Sequence, residues 1–116
     1  MKNRIDYCLE KIKSENRPAL VPYLTVGYPH ASISESLATA VLANGADMLE
    51  LGIPFSDPLA DGPTIQMTSF RALENGTTVQ TAIDTVAGLR SIDIEAPLIF
   101  MGYFNPFLQY GISRFL

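Results

Sequence analysis

The stretch that most constrains this chain is residues 48–53, Met-Leu-Glu-Leu-Gly-Ile, a short apolar run broken by a single carboxylate. Continuous apolar runs of this length are what a strand covered on both faces shows, as in a parallel sheet. Alternation along the strand sends Leu49 and Leu51 to one face and Glu50 to the other. Burying a carboxylate is costly unless it has partners or a task. If the strand is covered on both sides, Glu50 must therefore have a special reason to be there.

The loop that follows is stiffened by Pro54, Pro58 and Pro63, which restrict their own φ angles and the residues before them. Asp57 and Asp61 are thereby held in place. Pro63 suits the first turn of a helix that begins near Gly62. A strand that delivers one acid from its body and two more from a rigid loop at its C-terminal end has the layout of a catalytic edge in an α/β barrel.

The rest of the chain reads as helix, then three β-α units. Ile5, Cys8, Leu9 and Ile12 form one apolar stripe of a leading helix, in which Cys8 is a small packing residue. Residues 19–25 read as the first strand, although Pro22 cannot donate to a ladder. His30, the only histidine, falls in the turn at residues 27–30 with no carboxylate to orient it, and reads as a solvated loop residue. Ser32 with Glu35 has the form of a capping box for a helix that stops at Asn44-Gly45, and Thr77 with Gln80 has the same form for a later helix. Between them a helix from Pro63 closes at Asn75-Gly76. Residues 98–101, Leu-Ile-Phe-Met, are the third strand, and residues 110–116 the start of a further helix. This order opens either a barrel or a flavodoxin-like doubly wound sheet; the lack of a glycine-rich phosphate loop after the first strand lowers the dinucleotide-binding alternative.

With 116 residues the chain is less than half of a complete (β/α)₈ barrel, which takes about 250. It is expected to form a single partial domain over residues 1–116, incomplete toward its C-terminus. An apolar fraction of 47% with 17% charged residues excludes a disordered tail. A net charge of −4 without any Lys/Arg cluster argues against nucleic acid or an acidic membrane as partner. No run approaches the ~20 apolar residues of a membrane span, and the charged amino end has no signal-peptide core. A lone cysteine fits a reducing, cytoplasmic location.

The run at residues 49–66, LELGIPFSDPLADGPTIQ, resembles the signature of the tryptophan synthase alpha chain family, and the likeness extends to VPYLTVGYP at residues 21–29 and MGYFN at residues 101–105. The resemblance covers nearly the whole chain. It implies the N-terminal part of a TIM (β/α)₈ barrel, with a first strand that keeps its proline. It also implies a lyase of tryptophan biosynthesis that splits indole-3-glycerol phosphate into indole and glyceraldehyde 3-phosphate by acid/base retro-aldol cleavage.

Glu50, which alternation aims inward, and Asp61 are the catalytic residues so implied. Tyr23, Met101 and Tyr103 resemble the positions that enclose the indole ring, and Thr25 is expected to support the carboxylates by a hydrogen bond. Pro54, Asp57 and Asn105 are implied contacts with the family's beta chain, in an alpha2-beta2 tetramer whose beta chain carries pyridoxal phosphate. No cofactor is implied for this chain. Glu50, Asp57 and Asp61 would offer oxygen ligands to a hard cation, but no further ligand supports one and the family uses no metal.

The family's phosphate site and a tyrosine on a late mobile loop have no counterpart here, so little activity is expected from these residues alone. Open strand edges and an uncovered inner face predict association, aggregation or a partly molten state. The other reading is a non-catalytic piece that docks on the beta chain through residues 54–61.

Overall fold

The structure, a computed structural model, describes residues 1–116. Three parallel strands, β1 (Tyr23–Thr25), β2 (Leu49–Gly52) and β3 (Leu98–Met101), lie in the order β1-β2-β3. The pairing sets Tyr23, Glu50 and Ile99 side by side, then Leu24, Leu51 and Phe100, then Thr25, Gly52 and Met101. Residues in one such row point to the same face of the sheet.

The middle row faces the core. Leu49 and Leu51 are fully buried and pack with Ala38 of α2 (Ser34–Ala43) and with Val79, Ala82 and Leu89 of α4 (Val79–Ser91). Leu24, Leu98 and Phe100 join them, as do Phe107, Tyr110 and Phe115 from α5 (Phe104–Tyr110) and α6 (Ile112–Phe115). Tyr23, Glu50, Ile99 and Met101 take no part in this core, and Met101 is 51% exposed. All the crossover helices that meet the core thus cover one face of a sheet whose strands follow in sequence. A doubly wound sheet reverses its strand order and clothes both faces, so this winding is that of a barrel segment.

Helix α1 (Arg4–Ser14) lies across the N-terminal ends of the strands. Arg4 Nε meets Glu95 Oε2 at 2.9 Å before β3, and Cys8 Sγ donates to the Asp47 carbonyl at 3.4 Å before β2. Arg17 clasps both carboxylate oxygens of Asp47, at 2.8 and 2.6 Å, and Asp47 Oδ2 accepts the Leu20 N–H at 2.8 Å. Of the expected apolar stripe only Ile12 is buried, while Leu9 stays 47% exposed, because the edge of three strands offers a helix little to lie on. No helix is long and apolar enough to cross a membrane.

Several local expectations are corrected. Strand β1 begins only at Tyr23, since Pro22 has no N–H; the carbonyls of Leu20 and Pro22 still accept from Asp47 and Glu50 at 2.9 Å each. Helix α2 has Ile33 at its N-cap with no side-chain bond, so the Ser32/Glu35 box does not form. The box of α4 lies one residue later than expected, with Thr78 and Thr81 as its reciprocal pair. A box not anticipated, Asn3 with Asp6, starts α1. Helix α5 begins at Phe104 directly after β3, tolerating Pro106 in its first turn, and Gly111 at φ 102° separates it from α6. The two C-terminal stops, Asn44-Gly45 and Asn75-Gly76, are as read.

Candidate active site

The face away from the core ends, at the C-terminal side of the strands, in a loop over residues 53–62. Its root is fixed by the ladder: Ile53 N–H donates to the Met101 carbonyl at 2.8 Å and Val26 N–H to that of Gly52 at 3.0 Å. Within it Leu59 N–H reaches the Asp57 carbonyl at 2.9 Å and Asp61 N–H that of Pro58 at 3.2 Å. The next helix, α3 (Pro63–Glu74), takes hold of it through Gln66 Nε2, which donates to the Asp61 carbonyl at 2.7 Å. The end of β3 does the same through Tyr103. Its hydroxyl oxygen accepts the Ala60 N–H at 2.9 Å, and its ring lies 5.3 Å from that of Phe55. The prolines limit the conformations of the loop, and these contacts choose one.

Beneath the loop is a cavity of about 240 Å³ lined by Tyr23, Asp61, Met101 and Tyr103, with Ile53, Phe55, Ala60, Ser69 and Gly102 completing the wall. Four of the residues singled out from the sequence are thereby brought together from β1, the loop, β3 and its end. Glu50 does not line this cavity. It sits on the same face, one row toward the N-terminal ends, half-buried beside Tyr23. Burial pushes the Tyr23 phenol up from its ordinary pKa; the Thr25 hydroxyl opposes this, and the negative charges of Asp61 and Glu50 add to it. Glu50 is the register partner of Tyr23, and Asp61 shares its cavity wall.

Thr25 is placed differently from expectation. Its Oγ1 is 2.8 Å from Thr68 Oγ1, and Thr68 in turn donates to the Ile65 carbonyl at 3.0 Å. Thr25 shares this contact with either hydroxyl as the donor. It ties β1 to α3 and forms no hydrogen bond to a carboxylate. The three residues expected at a partner interface differ in their settings. Pro54 is buried, and lines a larger, shallower groove of about 500 Å³ with Pro106, Tyr110 and Arg114. Asp57 is exposed and accepts from Ser56 Oγ at 2.7 Å, and Asn105 stands exposed in the first turn of α5. His30 is exposed in its turn, as read.

Sequence reasoning did not single out Ile53, Phe55, Ala60, Ser69 or Gly102 for the site. Phe55 and Ala60 lie beyond the strand, where alternation no longer assigns a face. Ser69 faces the cavity from a helix whose exposed Met67 and Phe70 blur its apolar stripe. Chemically, the cavity offers an apolar and aromatic slot with a carboxylate at its rim and a second one deeper in the same face. That arrangement suits proton transfer to and from a flat, weakly polar group.

The profile of the family described as "Tryptophan synthase alpha chain" matches residues 9–116. The alpha chain of Chloroflexus aggregans is 54% identical over 112 residues, covering 97% of this chain and 42% of that relative. The alpha chain of a Roseiflexus species is 53% identical, with 97% and 43% covered. The crystal structure of tryptophan synthase subunit alpha from Legionella pneumophila superposes with a TM-score of 0.96 at 45% identity, over 99% of this chain and 44% of the other. The chain thus spans less than half the length of the relatives it matches.

Proposed function

The chain belongs to the tryptophan synthase alpha chain family, and we propose that, within a chain of the relatives' full length, it carries the proton-transfer groups for cleavage of indole-3-glycerol phosphate to indole and glyceraldehyde 3-phosphate. The carbon–carbon bond to the aromatic ring breaks only once the indole carbon has gained a proton and a side-chain hydroxyl has given one up. Glu50 carries these protons from the depth of the inner face. Asp61, at the rim, accepts the indole N–H and offsets the positive charge that protonation places on the ring. Tyr23, Met101 and Tyr103 form the walls, and no cofactor enters the scheme.

The observation that carries this reading is geometric: Tyr23, the register partner of Glu50, shares an aromatic-walled cavity with Asp61. The substrate's phosphate finds no anchor among these residues. Remote binding contacts raise turnover as well as affinity, so the 116 residues by themselves release little or no indole. The relevant chain works in the cytoplasm, with its beta chain meeting it around Pro54, Asp57 and Asn105.

The test is indole release from this chain and from one extended to the relatives' length, with and without Glu50→Gln. The extended chain is expected to release indole, and Glu50→Gln nearly to abolish turnover with substrate affinity largely intact. An extended chain that is silent with Glu50 present ends the enzymatic reading. It would leave the second one, a docking piece, which the open groove beside Pro54 favours.

A further inference from the structure

Gly52 is the middle member of the row Thr25, Gly52 and Met101, so its missing side chain would point toward the inner face. The backbone there is ordinary strand, outside the left-handed region that calls for glycine. Space is what excludes a side chain. A Cβ on Gly52 would lie 1.9 Å from Tyr23 Oη, 2.3 Å from Cζ and 2.8 Å from Cε2, an overlap with the ring itself as well as its tip. Tyr23 leaves β1 opposite Glu50, and its phenol runs forward along the sheet to lie on the bare backbone of β2.

We propose that Gly52 is a positioning residue for the reaction: its lack of a side chain is the seat that holds the Tyr23 phenol down on β2 and keeps the aromatic slot between Tyr23, Met101 and Asp61 open. The inference rests on the function proposed above. The directions open to the ring support it. On one side Thr25 is fastened to Thr68. Behind lies Glu50, one row back. In front is the cavity of about 240 Å³. A phenol lifted from its seat therefore swings into the space the substrate ring needs. To escape the overlap it must retreat by more than an ångström, and a displacement of that size into the substrate's space costs on the order of 10²-fold in kcat/KM.

The experiment uses the extended chain and three variants, Gly52→Ala, Tyr23→Ala and the double. Gly52→Ala is expected to lower kcat/KM for indole release on the order of 10²-fold, mostly through KM, with the thermal midpoint little moved. In the Tyr23→Ala background the same substitution is expected to cost less than about twofold, since no ring is left to displace. An equal cost in both backgrounds, or none in either, overturns the proposal. A readout without turnover separates its failure from that of the lyase reading. Nuclear Overhauser contacts of the Tyr23 ring should reach the Gly52 α protons in the parent and shift to the Met101 methyl in Gly52→Ala. If the ring keeps its contacts with β2 in Gly52→Ala, the seat has no such role, whether or not indole is released.

Discussion

Removing one oxygen from Tyr103 tests how the acidic loop is held. Tyr103→Phe deletes the acceptor of the Ala60 N–H, bonded at 2.9 Å, and keeps the ring against Phe55 at 5.3 Å. Ala60 is exposed, so its amide regains water once released, and the loss is the net worth of one bond, about 1 kcal/mol. At 1.36 kcal/mol per factor of ten, that is about a fivefold rise in the open population of the loop. Hydrogen exchange of the Ala60 amide reads this population directly, and is expected to quicken about fivefold in Tyr103→Phe. Tyr103→Ala also removes the aromatic contact, worth about 0.5–1.5 kcal/mol more, and should quicken exchange by tenfold or beyond. Asp61 is the next residue, so in the extended chain kcat/KM should fall only by the loss of closed population, far less than exchange quickens while the open state is minor. An Ala60 amide equally protected in Tyr103→Phe and the parent would refute the tether.

Two further outcomes follow from the core and from the N-terminal rim. Leu51→Ala opens a cavity between β2 and the helices at a site 1% exposed, and should lower stability by about 2–5 kcal/mol in urea unfolding; a loss below about 1 kcal/mol would mean the leucine face is not the core. At the rim, the Arg17 guanidinium, then the Leu20 amide, hold the Asp47 carboxyl well below the usual carboxylate range. Because the folded-state value is the lower one, this pairing adds stability above about pH 3.9 and loses it as acid titrates the carboxylate below that. Asp47→Asn should therefore lower the urea midpoint at pH 7, with the gap closing below about pH 4; a gap independent of pH would contradict the assignment.

What the sequence made legible is mostly what period alone decides. Leu49 and Leu51 against Glu50 is a two-residue alternation, and the structure sets the leucines in the core and Glu50 on the other face. The glycine stops after α2 and α3 were readable because Gly45 and Gly76 take positive φ, at 107° and 85°, which few other residues tolerate. The one-sided winding, in contrast, is a property of three strands together, and no window of residues encodes it. The cavity mixes both kinds: Tyr23 and Met101 follow from alternation, while Phe55 and Ala60 are placed by Tyr103, some forty residues away in the chain.

The misread caps expose the physical reason most clearly. Ser34 and Thr77 stand beside the two helix starts where capping was misassigned, and both side chains are drawn instead to one turn after β1. Gly27 N–H donates to Ser34 Oγ at 2.8 Å, and Asn75 Nδ2 donates to the carbonyls of Gly27 and Pro29 at 3.0 and 2.9 Å. Gly27 takes φ 84°, and a Cβ there would fall 1.8 Å from Thr77 Oγ1. The Thr77 hydroxyl is buried on this glycine with no hydrogen-bond partner, and helix α4 finds its cap one residue on, at Thr78. Capping is a local preference worth about 1 kcal/mol. The turn that places β1 beside the cavity is closed by the Ser34 hydroxyl and the Asn75 amide, while Thr77 serves it only by packing on Gly27, so the cap of α4 passes to the neighbouring residue.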